Sequence, residues 1–357
     1  MIIFAVNPGS TSTKIALYND AERLWTDTLR YDADVIGQFE SIIEQEQFRY
    51  DEVVKTLESR GVSPKDFAAV VGRGGLMKPI KGGVYRVNKA MLEDLRNIQY
   101  GAHASNLGAI LADRFAAAGG DKKVPAFIVD PPIVDELADE ARFSGLPEAP
   151  RISLFHALNQ KAVAHRAASE LGKNMSDCNL VVAHMGGGIS VGAHEHGRVI
   201  DVNNALDGGG PMSPERSGSL PIGKLVDMCF SGKYTKPEIQ KMINGSGGLV
   251  AHLGTNDLRE VENRIREGDS HAALVFEAMA LQIAKEIGRC AVVLKGEVDA
   301  IIMTGGLAYS DKLCESIASK VSFIAPILRY PGEDEMEALA GGALRVLRGE
   351  ESPLEYQ

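Results

Sequence analysis

The sequence predicts an α/β protein assembled from two similarly built halves. Three observations predict it. An apolar, β-rich run turning through a polar, glycine-containing segment occurs twice, the copies lie about half a chain apart, and helical patterns fill the intervals. At 357 residues, 45% of them hydrophobic, the chain exceeds what one compact core usually organises. Two domains follow, with the space between them the default place for chemistry.

The first hairpin reads as an apolar run over 2–6, a turn through Asn7-Pro8-Gly9-Ser10, and an alternating strand from Lys14 to Tyr18. The second starts at Leu180-Val181-Val182-Ala183, turns through Met185-Gly186-Gly187-Gly188 and continues as Ile189 to His194. His184 follows Asn7 by 177 residues (184 − 7), the spacing a duplication leaves behind. Ser105 to Ala118 and Leu158 to Leu171 carry helical patterns closed by a following glycine. Val124 to Val129 reads as a strand ended by Asp130-Pro131-Pro132, and Ala300 to Met303 as a strand ended by Thr304-Gly305-Gly306. Ligands of α/β sheets bind at the carboxyl ends of strands, so pattern alone places Asp130 and the Thr304-Gly305-Gly306 turn for function. A plain Asp-Pro turn explains Asp130 equally well at this level.

Charge and cysteine usage exclude several classes. With 38 basic and 48 acidic residues, the net charge of −10 repels nucleic-acid backbones. Cys178, Cys229, Cys290 and Cys314 form no C-x-x-C pair, which argues against a zinc site or disulfide framework and for a reducing compartment. No basic region precedes the apolar start MIIFAV, and no apolar run reaches ~18 residues, so a cytoplasmic protein without membrane spans is expected.

The segment Asn7-Pro8-Gly9-Ser10-Thr11-Ser12-Thr13-Lys14 concentrates hydroxyls, a glycine-freed backbone and one cation, all suited to phosphoryl oxygens. It lacks Walker A spacing, and a polar hairpin turn is the plainer explanation. The turn His184-Met185-Gly186-Gly187-Gly188 exposes consecutive N–H groups, and Thr304-Gly305-Gly306-Leu307-Ala308 ends a strand similarly, so one bound nucleotide would account for all three turns. Arg73 and Arg216 sit among small residues and could clamp an anion, although a lone arginine is more often solvated. His156 follows Leu154-Phe155 and also fits a satisfied core histidine; His103 faces the same two readings. His194-Glu195-His196 reads as decoration of a hairpin tip, and Glu333-Asp334-Glu335 as the solvated start of a helix over 336–347.

In order along the chain stand NPGSTSTK at 7–14, GRGG at 72–75, YGAHASNLG at 100–108, IVDPP at 128–132, LFHALNQ at 154–160, HMGGGIS at 184–190, PERSGS at 214–219, GGLVAHLGTNDLREV at 247–261 and MTGGLAYS at 303–310. Together these resemble the acetate and butyrate kinase (acetokinase) family, within the superfamily of sugar kinases, Hsp70 ATPase domains and actin. The resemblance implies two duplicated ribonuclease H-like (actin-like ATPase) domains with a nucleotide cleft between them, closing to bring ATP and carboxylate together. Residues 1–152 plus 335–357, a returning C-terminal helix, would form the first domain and 153–334 the second. Carried over, Asn7 and Glu335 resemble the family's magnesium positions, and Ser10, Ser12 and Lys14 its first phosphate loop. Gly186, Gly187 and Gly188, headed by His184, resemble the second. Gly305, Gly306 and Leu307 on to Tyr309, with Asp257 to Arg259, resemble the adenosine side. Arg73 matches the carboxylate-binding arginine, with Gly75, Ala102, His103 and Phe155 around the acid. Asp130 matches the essential aspartate, and His156 and Arg216 the pair that stabilises the transferring phosphoryl group.

The chain departs from the acetate kinase pattern: it lacks an asparagine in the second glycine turn, and Gly75 and Ala102 stand where larger aliphatic residues flank the acyl methyl. Smaller walls imply a deeper pocket. Two further buried methylenes contribute about 1.6 kcal/mol, near fifteenfold for butanoate over acetate. The resemblance thus implies direct in-line, Mg²⁺-dependent phosphoryl transfer between ATP and butanoate, giving ADP and butanoyl phosphate. Isobutyrate and other branched acids, acetate and propionate are the alternatives, and a non-kinase ATPase or sensor of the superfamily is the different-class alternative. The family likeness further implies a homodimer or higher homo-oligomer.

Overall fold

The computed structural model describes residues 1–120 and 123–357. They form two compact units, Met1–Val134 with Asp334–Gln357, and Asp135–Glu333. The strands in chain order are β1 (Ile2–Pro8), β2 (Ser12–Asn19), β3 (Glu22–Arg30), β4 (Ala69–Arg73), β5 (Val84–Arg86), β6 (Ala126–Val129), β7 (Asn179–Met185), β8 (Ile189–Glu195), β9 (Arg198–Val202), β10 (Ala300–Gly305), β11 (Ile327–Pro331) and β12 (Leu354–Glu355).

The first unit holds a seven-stranded sheet, ordered β12-β5-β6-β4-β1-β2-β3. β1, β2 and β3 make an antiparallel meander, and β4 and β6 continue from β1 in parallel. The second unit repeats the plan in five strands, ordered β11-β10-β7-β8-β9. There β7, β8 and β9 form the meander, and β10 and β11 run parallel to β7. The likeness extends to an irregularity, because each meander carries one extra residue in its third strand, Leu24 facing Leu17/Tyr18 in one and Ile200 facing Ala193/His194 in the other. Bulges at equivalent points of two hairpins are what copies of one plan would share. The duplication expected from the spacing is therefore present in the backbone.

Alternation on these strands drives apolar side chains into cores on the sheet faces. In the first unit Phe4 stacks on Phe67 with ring centroids 5.1 Å apart and meets Phe115 edge-on at 5.3 Å. The Asn106–Ala117 helix presses so closely on β4 that a Cβ on Gly72 would collide with the carbonyl of Gly108. In the second unit the Ser270–Val293 helix, capped where Asp269 accepts from the Ala272 N–H at 2.9 Å, buries Phe276, Met279, Ile283 and Ile287. The Ala157–Glu170 helix contributes Val163, Ala164 and Ala167 to a separate cluster with Leu180, Val182 and Ile302.

Two details differ from the sequence expectation. The strand expected to end at Met303 runs on through Thr304 and Gly305, because Gly305 and Gly332 exchange N–H···O bonds of 3.1 and 2.9 Å. The residues over 135–152, expected with the first domain, pack on the second unit: Ala138 N–H donates to the Ile200 carbonyl at 2.9 Å, and Arg151 reaches Asp201 at 2.7 Å. Glu136 accepts from the Val199 N–H at 2.8 Å and pairs with Lys161 at 2.8 Å, an ion pair almost wholly removed from water. Among the described residues, no helix is long and apolar enough to cross a membrane. Cys178, Cys290 and Cys314 are buried, Cys229 is exposed, and none forms a disulfide.

Candidate active site

In the first unit the β1–β2 hairpin carries Ser10 in its turn and Ser12 and Lys14 on β2, with Asn7 opposite Lys14 in register. Behind it lies a residue that no motif announced. Arg49, on the Gln45–Ser59 helix, is fully buried and donates to the carbonyls of Ser12 (2.8 Å) and Ser10 (2.9 Å) and to Thr13 Oγ1 (3.1 Å). Gln45 Oε1 accepts from its other nitrogens at 3.0 and 2.8 Å. A guanidinium sunk under a hairpin fixes the conformation of the turn. Burial lowers its pKa from the ordinary value, yet an arginine stays charged, so it also adds positive potential beneath the loop. The single hint in the sequence is an arginine on the apolar face of an otherwise polar helix.

Asn7, Arg73 and Glu335 come together. Glu335, the first residue of the Glu335–Leu347 helix, takes a short contact from Arg73 and accepts from Asn7 Nδ2 at 2.6 Å. The expectation of a solvated acidic helix start fails for Glu335, because these two donors draw it in; Asp334 is the N-cap, accepting from Glu337 N–H at 3.0 Å. An amide and a carboxylate side by side are hard oxygen donors of the kind magnesium uses when phosphates and water complete its shell. Among the described residues no cluster of three or more His, Cys, Asp or Glu is placed to hold a metal ion.

Asp130 is buried at the end of β6 with a left-handed backbone (φ 37°), a conformation non-glycine residues rarely adopt. Its carboxylate accepts from Gly83 N–H at 2.7 Å while its own N–H donates to the Gly83 carbonyl at 3.1 Å, so a plain Asp-Pro turn does not describe it. His103 Nδ1 accepts from the Ser105 N–H at 3.2 Å, and partial burial together with the Arg73 charge lowers its pKa. Ala102 lies exposed in the same loop. Gly75 does not widen a pocket: a Cβ there would lie 2.6 Å from Asn106 Cα and 2.8 Å from Leu95 Cδ2, so tight packing against the Asn106–Ala117 helix demands the glycine.

In the second unit the β7–β8 turn places His184 opposite Ser190 in register. The His156 and His184 rings stack with centroids 3.8 Å apart and planes 13° from parallel. His184 is buried; its Nδ1 lies 2.7 Å from Asn159 Oδ1. Its pKa falls well below the ordinary value, through burial first and then the neighbouring His156 and Arg216. The 3.4 Å approach of Glu333 to its Nε2 is thus not an ion pair, since the ring stays neutral. His156 bonds Ser190 Oγ at 2.8 Å, and Phe155 beside it in sequence is buried.

Arg216 lies across the glycine turn, and its guanidinium occupies the space a Gly188 side chain would take. It donates to Asn244 Oδ1 at 3.2 Å and, by a short contact, to the Ala205 carbonyl, while burial lowers its pKa. Ser213 Oγ closes the turn by donating to the Gly187 carbonyl at 2.5 Å. Gly186, Gly187, Asp257, Arg259, Gly306, Leu307 and Tyr309 line one cavity of about 710 Å³. Asp257 caps the Leu258–Arg266 helix, and its hydrogen bond from Arg259 holds its pKa down at about 2. Gly305 serves the backbone instead: with φ 87° it brings β10 so close that a Cβ would strike the Met185 carbonyl. His194 corrects the hairpin-tip expectation. It lies inside β8 at 0% exposure, and burial pushes its pKa down to about 3; His196 and Gly197 make the tip, with φ 50° and 82°.

The sequence pattern of the acetokinase family matches residues 150–324. Butyrate kinase 1 of Clostridium acetobutylicum is 54% identical over 355 residues, and butyrate kinase 2 of the same organism 55%, each match covering 99% of both chains. Among solved structures, acetate kinase of Porphyromonas gingivalis aligns with a TM-score of 0.79 at 18% identity, covering 97% of this chain and 99% of that one. A propionate kinase from Francisella tularensis aligns at 0.71 and 19% identity, covering 96% and 98%. The structural likeness establishes the fold, and identity above half over the full length establishes kinship: the chain belongs to the acetokinase family.

Proposed function

We propose that the protein is an ATP-dependent carboxylate kinase whose acid is butyrate. The observation that carries the geometry is Arg216, held over Gly188 in a glycine turn beside the stacked His156 and His184. Such an arrangement would present a guanidinium and an imidazole to an anion, which suits a transferring phosphoryl group. The relatives named butyrate kinase support the choice of acid. Gly75 lends it no support, since packing accounts for that glycine.

A carboxylate oxygen attacks the γ-phosphorus as the bond to the β–γ bridging oxygen breaks, giving acyl phosphate and ADP. The nucleophile is already ionised, so no strong base is needed, and catalysis reduces to alignment and charge stabilisation. Arg73 would hold the acid. Arg216 and the His156 ring would spread the equatorial charge. Ser10, Ser12 and Lys14 would carry the terminal phosphates of the nucleotide, and the cavity lined by Asp257, Arg259, Gly306 and Leu307 its adenosine. Magnesium, when bound, neutralises phosphate oxygens; Asn7 and Glu335 would hold it, with Asp130 organising its waters. Asp130 in this role is an organiser, not a proton acceptor.

Hydroxylamine trapping of acyl phosphate tests the reading, with Mg²⁺-ATP and acetate, propionate, butyrate, isobutyrate and valerate at equal concentration. The rate should peak at butyrate. A peak at isobutyrate or acetate would keep the kinase and replace the acid, whereas no hydroxamate from any acid would defeat the reading. We also infer a homo-oligomer joined through the second unit, supported by the Ile222–Cys229 helix, which buries none of its residues.

A further inference from the structure

Ser190 is fully buried, and its contacts fix its proton. Gln160 Nε2 lies 3.0 Å from the Ser190 carbonyl and 2.8 Å from Ser190 Oγ. A carbonyl can only accept, so this end of the amide is the NH₂, and it donates to both oxygens. Gln160 Oε1 then faces His194 Nε2 at 3.0 Å and accepts a hydrogen bond from its N–H. The backbone N–H of His156 donates to the same Ser190 Oγ at 3.4 Å. Both acceptor positions of the hydroxyl are thereby filled, and its one proton must go to its remaining partner, His156 Nδ1, at 2.8 Å.

We propose that Ser190 is a positioning residue that holds His156 in the Nε2–H form, through a fixed chain from His194 by way of Gln160. If Nδ1 carried the ring proton instead, two donors would face each other and the serine proton would have no acceptor. The stack on His184 sets the plane of the ring, and Ser190 sets which nitrogen donates. His184 is anchored at Nδ1 in the opposite sense, donating to Asn159 Oδ1. The two parallel rings therefore differ in tautomer: His156 carries its proton at Nε2 and His184 at Nδ1. A phosphoryl oxygen needs the donor, and a ring free to change tautomer would offer it only part of the time. The inference rests on the reading of His156 as a group facing the phosphoryl oxygens, but the tautomer can be observed without any turnover.

The test combines nitrogen-15 NMR of the His156 ring with steady-state kinetics of Ser190→Ala. The full-length wild type should show Nε2 protonated and Nδ1 bare. Ser190→Ala should lose that exclusive form, with kcat lower by about tenfold and KM for ATP and acid within about twofold, since the donor matters most in the transition state. Gln160→Met, similar in volume, frees an acceptor position on Ser190 and should mix the tautomers too; it decides the matter should Ser190→Ala fail to fold. A wild-type Nδ1–H ring, an unchanged tautomer in both variants, or full kcat in Ser190→Ala would each overturn the proposal. A wild type with the Nε2–H ring that forms no acyl phosphate would leave the relay standing and remove the kinase reading.

Discussion

At the scale of single residues, the two arginines proposed to meet the substrates have unequal partners. Arg73 already meets a carboxylate, Glu335, whereas Arg216 is held by the neutral oxygens of Asn244 and Ala205. A cation with neutral partners keeps its charge for a ligand, and in a half-buried place that charge is weakly screened. Replacing Arg216 with alanine should therefore lower kcat by about a hundredfold or more, with KM for ATP and butyrate moving only a few-fold, because the contact strengthens as charge spreads over the phosphoryl oxygens. Initial-rate kinetics in both substrates check this, and an effect confined to KM would assign Arg216 to ground-state binding. Arg216 and His156 could be picked out because each stands in a motif of small or aromatic neighbours. Arg49 and Ser190 could not, since their importance lies in what they touch across 36 or more positions of sequence, from Arg49 to Thr13, or across 34, from Ser190 to His156.

At the scale of elements, the two hairpins were legible because strand alternation and glycine-rich turns are local signals, and the repeat near half-length gave their relation. Less legible was where strands stop. β10 runs two residues past its expected end because it pairs with a glycine 27 positions on, Gly305 with Gly332, which no local pattern encodes. Gly75 misled for the same reason: a missing side chain reads as space in a sequence, but here the Asn106–Ala117 helix has already filled it. The Gln45–Ser59 helix earns a prediction of its own, because Arg49 is what ties it to the β1–β2 turn. Arg49→Met keeps the length of the side chain and removes every donor, leaving the carbonyls of Ser10 and Ser12 without them. Unfolding in urea should register a loss of about 2–3 kcal/mol, and KM for ATP should rise several-fold as the turn loosens. An unchanged KM with the stability lost would make Arg49 a packing residue alone.

At the scale of the whole molecule, what remains on the surface decides association. The Ile222–Cys229 helix leaves Ile222 76% and Val226 49% exposed, and Phe230 just beyond it is 87% exposed. Ile222 also lines a cavity of about 530 Å³ together with Ile152, itself 56% exposed, so the apolar surface extends beyond one helix. Sequence reading could not find this patch, because the same alternation that buries a helix face describes one left uncovered. Monomers rarely keep a large contiguous apolar surface in water, and a two-fold dimer covers such a patch with its own copy. A net charge of −10 per chain opposes the pairing at long range, so the apolar contact must carry it, and raising salt should strengthen association rather than weaken it. Sedimentation at micromolar concentration should give a dimer or higher species for the wild type and a monomer for Val226→Glu/Phe230→Glu, since burying two carboxylates without partners costs several kcal/mol. A wild type that sediments as a 38.3 kDa monomer, or a double variant that associates as before, would place this helix outside any subunit contact.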